Sequence, residues 1–86
     1  MTAWAAINVL IRDGKTLFEV IYQSSYRHNA RRVGMFDTEA KAVEAAESAF
    51  LTDATGASFL TVQAGKYPQG QHPRGGIIAQ MGREVA

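Results

Sequence analysis

Eighty-six residues with 47% hydrophobic and 20% charged side chains suffice for one folded core and are too few for two, which excludes both a multidomain protein and an intrinsically disordered one. The absence of cysteine excludes a disulfide framework, a thiolate metal site and a cysteine nucleophile, and a formal net charge of +1 is low for a protein whose main business is nucleic acid. The apolar start, MTAWAAINVLIRDG, is too short to cross a bilayer, lacks a basic leading segment and is broken by Arg12 and Asp13, so it reads as a strand of a soluble, cytoplasmic protein with no membrane association.

Ala3 to Ile11 is apolar and β-branched enough to predict a first strand, and Asp13-Gly14 followed by Lys15 is the chemistry of a tight hairpin turn. Thr16 to Gln23 is then its partner. Alternation turns Phe18, Val20 and Tyr22 to one face and Glu19 and Gln23 to the other, and Leu17 and Ile21 fall on that polar side. Ser24 to Ala30 is a polar connection with Asn29 as a turn residue, and Arg31 to Phe36 predicts a third strand that completes a meander.

Between Arg31 and Phe50 the hydrophobic period changes from two to about 3.6, as expected where a strand delivers the chain into a helix. The helix is predicted from Thr38 to about Leu51. Asp37 or Thr38 can cap it, Glu39 suits the positive end of its dipole, and Val43, Ala46 and Phe50, flanked by Ala42 and Ala49, form the stripe that faces the sheet. Gly56 is expected to end the element in a short turn. Ser58 to Ala64 and Ile77 to Met81 predict two more strands, joined by the Pro/Gly loop KYPQGQHPRGG. The expected fold is therefore α+β, one domain over residues 1–86: a mainly antiparallel sheet of four to five strands with a single helix on one face, in the order β-β-β-α-β-β. A single crossing of the sheet by the helix sets the fourth strand parallel to the third through a right-handed connection.

One helix covers one face. The other is expected to carry Trp4, Asn8, Leu10, Arg12, Glu19, Ile21, Gln23, Arg32, Thr61, Gln63, Ile78 and Gln80, and Trp4, Leu10, Ile21 and Ile78 together make a patch of the kind that marks an interaction site. Charge is unevenly distributed along the chain: residues 1–36 carry +3, residues 37–53 carry −4 and residues 54–86 carry +2. The acidic group is Asp37, Glu39, Glu44, Glu47 and Asp53, and a solvated helix face is its ordinary meaning.

No constellation of side chains carries recognisable chemistry. His28 and His72 fall in loops at opposite ends of the sheet, no nucleophile elbow surrounds Ser24 and Ser25, and no two acidic residues are placed for general acid and base work. A non-enzymatic protein without metal or cofactor is expected. The GQHPRGG loop, with Arg74 and Lys66, can present backbone N–H groups and cations to an anion, but its spacing matches no phosphate-binding fingerprint. Arg27, His28, Arg31 and Arg32, with Tyr22 and Tyr26 nearby, form the densest basic cluster and suit phosphates or an acidic protein surface equally.

Two resemblances bear on function. Phe18-Glu19-Val20, the run Arg32-Val33-Gly34-Met35-Phe36-Asp37-Thr38 and the alanine-rich Ala42 to Phe50 resemble the second half of the AP2-type DNA-binding module and the related arm-binding domain of phage integrases. By that resemblance the uncovered sheet face would enter the major groove, with Arg12, Arg32 and Arg31 reaching DNA. The whole layout also looks like many small phage-encoded inhibitors, anti-CRISPR proteins among them. That likeness implies a protein that occupies a protein or nucleic-acid-binding surface of a defence complex, and the acidic helix would then compete for a basic groove.

Near-neutral charge and the aliphatic groups on the open face favour a protein partner over DNA. The leading expectation is a non-enzymatic inhibitor that blocks a host nucleic-acid-handling or CRISPR-type complex, binding through Trp4, Leu10, Arg12, Ile21, Arg27, Arg31, Arg32, Glu39, Glu44, Glu47 and Arg74. The alternatives are a DNA-binding domain using Arg12, Arg27, Arg31 and Arg32, and a homo-oligomer whose sheet faces pack together. Monomer and homodimer both fit the first reading.

Overall fold

Both turn residues of the first hairpin take left-handed backbone, Asp13 at φ 51° and Gly14 at φ 76°. This is the mirror-image turn whose twist matches that of paired strands, and it fixes Arg12 opposite Lys15. From that anchor β1 (Thr2–Arg12) and β2 (Lys15–Gln23) pair antiparallel over their whole length, from Arg12↔Lys15 to Trp4↔Gln23. The structure, a computed structural model, describes residues 2–24, 29–65 and 76–83.

β3 (Arg31–Phe36) adds antiparallel to β2, with a bulge facing the Val20–Ile21 step. Gly34 lies opposite Val20 on the inner face, where a Cβ would come within 3.2 Å of the Phe36 ring. The missing side chain leaves room for that ring to lie over the strand. The helix α1 (Glu39–Leu51) begins where Thr38, in extended backbone, accepts a hydrogen bond from the Lys41 N–H on its side-chain oxygen. Thr38 is thus the cap, while Asp37 makes a 3.0 Å ion pair with Lys41 one turn on.

β4 (Phe59–Ala64) runs parallel to β1, and β5 (Ile77–Gly82) closes the sheet antiparallel to β4. The strand order is β3-β2-β1-β4-β5. The fold is α+β with one helix and a mixed five-stranded sheet, three of its four pairings antiparallel. β4 shares its direction with β3 as expected, but its partner is β1. The helix carries the chain from the β3 edge of the sheet across β2 and β1, so β4 joins the free side of β1 and not that of β3.

The core lies between α1 and the inner face: Ala3, Ala5, Ile7, Val20, Tyr22, Leu60 and Val62 from the sheet against Ala42, Ala46, Ala49 and Phe50 from the helix. Val43 is half-buried at its margin. Alanines on both elements allow close approach, and the completely buried Phe50 fills the remaining depth. A bulge at Val62–Gln63 shifts the phase of β5. Ile78 consequently packs against the core and not on the open face, a correction to the alternation read from the sequence.

Candidate binding surface

The helix end deepest in the fold is built around two side chains, Tyr22 and Arg83. Tyr22 sits on the inner face of β2 with only 2% of its surface exposed, and its hydroxyl donates a 2.6 Å hydrogen bond to an Asp53 carboxylate oxygen. Burial, reinforced by that neighbouring carboxylate, pushes the phenol well above its ordinary value. Burial works the other way on Asp53 but is outweighed by the hydrogen bonds from Tyr22 and from the Thr55 N–H at 2.9 Å, which hold its carboxyl at about 2. Arg83, just past β5, donates from Nε to the Ala57 carbonyl (2.7 Å), from Nη1 to that of Phe50 (2.7 Å) and from Nη2 to that of Asp53 (2.8 Å), and its guanidinium stacks 4.6 Å over the Phe50 ring. The last helical carbonyls thus receive their partners from a strand distant in sequence. Gly56, expected to end the helix, lies beyond the Thr52 cap, at φ 87° in the following turn.

This cluster is structural. It occupies Asp53, so the acidic group is smaller than its count suggests, and Asp37 is engaged by Lys41, which lowers its carboxyl. Glu44 is exposed and Glu47 half-buried along α1, whereas Glu39 is exposed at the first residue of the helix, where it lines a groove with Ile7, Val9 and Leu10. The three do not form one patch.

The open face has its own internal order. Trp4, Leu10 and Ile21 are half-buried there, Trp4 opposite Gln23, Leu10 opposite Leu17, and Ile21 between Ala6 and Arg32. Across the middle strands runs a polar row: the Asn8 amide donates to one Glu19 oxygen (3.1 Å) and Arg32 bridges to the other (3.4 Å), also approaching the Met35 sulfur at 3.7 Å. Asn8 Oδ1 is buried without a hydrogen-bond partner. Arg12 is exposed at the hairpin tip. Arg31 faces the other way, over the Tyr22 ring at 5.6 Å, because the bulge in β3 places it opposite Tyr22. Trp4, Leu10, Ile21, Arg12 and Arg32 therefore share a surface, while Arg31, Glu44 and Glu47 lie elsewhere and Glu39 meets that surface at the groove it lines with Leu10. Arg27, Arg74, Lys66, both histidines, Ser25 and Tyr26 are outside the described residues.

Among the described residues no three His, Asp or Glu side chains converge as a metal site, and no helix is long and apolar enough to cross a membrane. Arg83 escaped the sequence reading because a lone arginine after a strand looks like ordinary surface charge. Tyr22 carried a usable signal, since a tyrosine on a core face needs a partner for its hydroxyl. Comparison of the chain with models of known families, with curated proteins and with solved structures found no match.

Proposed function

We propose that this chain is a small non-enzymatic binding protein that engages a protein partner through the open face of its sheet. The observation that carries the reading is the character of that face: half-buried Trp4, Leu10 and Ile21 lie around a polar row in which Glu19 and Arg32 already neutralise each other. Interfaces of this composition are aromatic and aliphatic at the centre with few unpaired charges. A DNA-reading surface needs free cations, and Arg12 is the face's arginine without a counter-ion among the described residues. The size and layout support an inhibitor that occupies a surface of a nucleic-acid-handling complex, defence complexes of the CRISPR type included.

The test is size-exclusion chromatography with light scattering, run with random-sequence duplex DNA at low and moderate salt, followed by affinity capture from host cells. Leu10→Asp and Ile21→Asp should leave thermal stability close to that of the parent and abolish capture of a nucleic-acid-handling complex. A DNA complex that dissolves as salt rises would replace this reading with the DNA-binding one.

A further inference from the structure

β1 is longer than the strand beside it. Its pairing with β4 runs from Thr2↔Phe59 to Ile7↔Ala64, and Gly65 N–H closes the ladder on the Ile7 carbonyl at 3.0 Å. Because Ile7 turns its backbone groups toward β4, the alternation of a strand turns those of Val9 and Ile11 the same way. Among the described residues no strand pairs with β1 there. Val9 and Ile11 are 61% and 80% exposed, unusual for β-branched residues in the middle strand of a sheet. Beside this segment lies a groove of about 390 Å³ with Ile7, Val9, Leu10 and Ile78 in its wall and Glu39 at its rim. Glu39 has no ion-pair partner among the described residues.

From this edge we infer a strand-addition site: the Val9–Arg12 segment of β1 accepts an extended peptide from a protein partner, apolar at alternate positions and carrying a basic side chain for Glu39. Backbone hydrogen bonds to Val9 and Ile11 supply the register, and the groove takes the apolar side chains. The basic residue follows from charge complementarity, since Glu39 is the carboxylate at the groove without a counter-ion among the described residues. The segment has room for about four residues, roughly 13 Å at strand rise. This site uses the outward backbone groups of β1 and borders the open face at Asn8, Leu10 and Glu19, which also line the groove.

The experiment has three arms. Amide hydrogen exchange on the chain alone should find Val9 and Ile11 unprotected while Asn8 and Leu10, paired with β2, are slow; protection of Val9 and Ile11 in the monomer would show the edge already covered and end the proposal. A short acetylated peptide alternating valine and threonine, with one lysine, should then shift the Val9 and Ile11 amide resonances. Val9→Pro should weaken it by about tenfold or more, since proline removes an outward N–H without touching the β1–β2 ladder. N-methylation of the peptide on its docking edge should do the same with the protein unchanged, so a variant that misfolds does not decide the matter. Glu39→Gln should weaken the lysine peptide about threefold at low salt and not at high salt. Absence of peptide binding overturns the inference, as does self-association of the chain that Val9→Pro abolishes, because the occupant would then be a second copy. Loss of binding by Ile21→Asp with Val9→Pro silent would instead place the peptide on the open face, since Ile21 lies outside the groove.

Discussion

Replacing Arg83 by alanine removes three short hydrogen bonds at once, to the carbonyls of Ala57, Phe50 and Asp53, together with the contact over the Phe50 ring. Hydrogen bonds from a charged donor contribute about 1.5–3 kcal/mol each when well buried. Arg83 is half-buried, so water can replace part of what is lost and about 1 kcal/mol per bond is the better figure. The expected destabilisation is therefore about 3 kcal/mol, and for a domain of this size that lowers Tm by roughly 10–25 °C. Urea unfolding followed by far-ultraviolet circular dichroism measures it directly. Arg83→Lys separates two explanations. A lysine keeps the positive charge at the helix C-terminus, worth about 0.3–1 kcal/mol, but cannot reach three carbonyls in different directions. Partial recovery, about one third, is expected. Full recovery by lysine would mean that the helix dipole is the whole effect, and a loss under about 0.5 kcal/mol for the alanine variant would refute the clamp itself.

Other outcomes follow from the same cluster and from the sheet. Tyr22→Phe should cost about 1 kcal/mol, since it strips the half-buried Asp53 carboxylate of its phenol donor, and chemical denaturation checks it. The raised Tyr22 phenol contributes stability fully present below pH 10 and lost above it as pH climbs toward the folded value, so in wild type one tyrosine should ionise late by ultraviolet difference absorbance and be missing from the Tyr22→Phe titration. Asp53, depressed from 3.8 to about 2, contributes stability present above about pH 4 and lost as pH falls through 2; Asp53→Asn should flatten the acid limb of Tm against pH. Gly34→Ala forces the Phe36 ring off the strand and should destabilise by about 1 kcal/mol in thermal melts, and the double variant Gly34→Ala, Phe36→Leu should recover part of it.

Local pattern carried most of the fold. Asp13-Gly14 placed the hairpin, the change of period at Phe36 placed the helix, and no strand end differs from the expected one by more than a residue. Long-range pairing is another matter, because nothing in β4 itself names β1 as its neighbour; the meander leaves the outer sides of both β1 and β3 unpaired, and the choice between them rests on where the helix carries the chain. The bulges were equally silent. The one at Val20–Ile21 decides which of the neighbouring Arg31 and Arg32 shares the open face with Ile21, and the one at Val62–Gln63 draws Ile78 toward the core, undoing the alternation expected there. On the open face, the sequence placed Trp4, Leu10, Ile21, Glu19 and Arg32 together. It did not show that Glu19 and Arg32 are joined, since a hydrogen-bonded ion pair depends on register and not on composition.

The position of β1 in the sheet also sets an order of assembly. Its pairing with β2 closes a two-residue turn, whereas Thr2 and Phe59 meet across 57 residues of chain. Loop closure favours the short contact, so the meander forms early and β4 docks late, after the helix has crossed. Until then the whole side of β1 from Thr2 to Arg12 is an unpaired, largely apolar edge, held only by the β2 side. Mutations in β4 should accordingly change the unfolding rate and leave the folding rate nearly untouched, and slowing the late step, as Arg83→Ala would by loosening the chain around β4, should raise the yield of aggregate on refolding more than its loss of equilibrium stability alone would suggest.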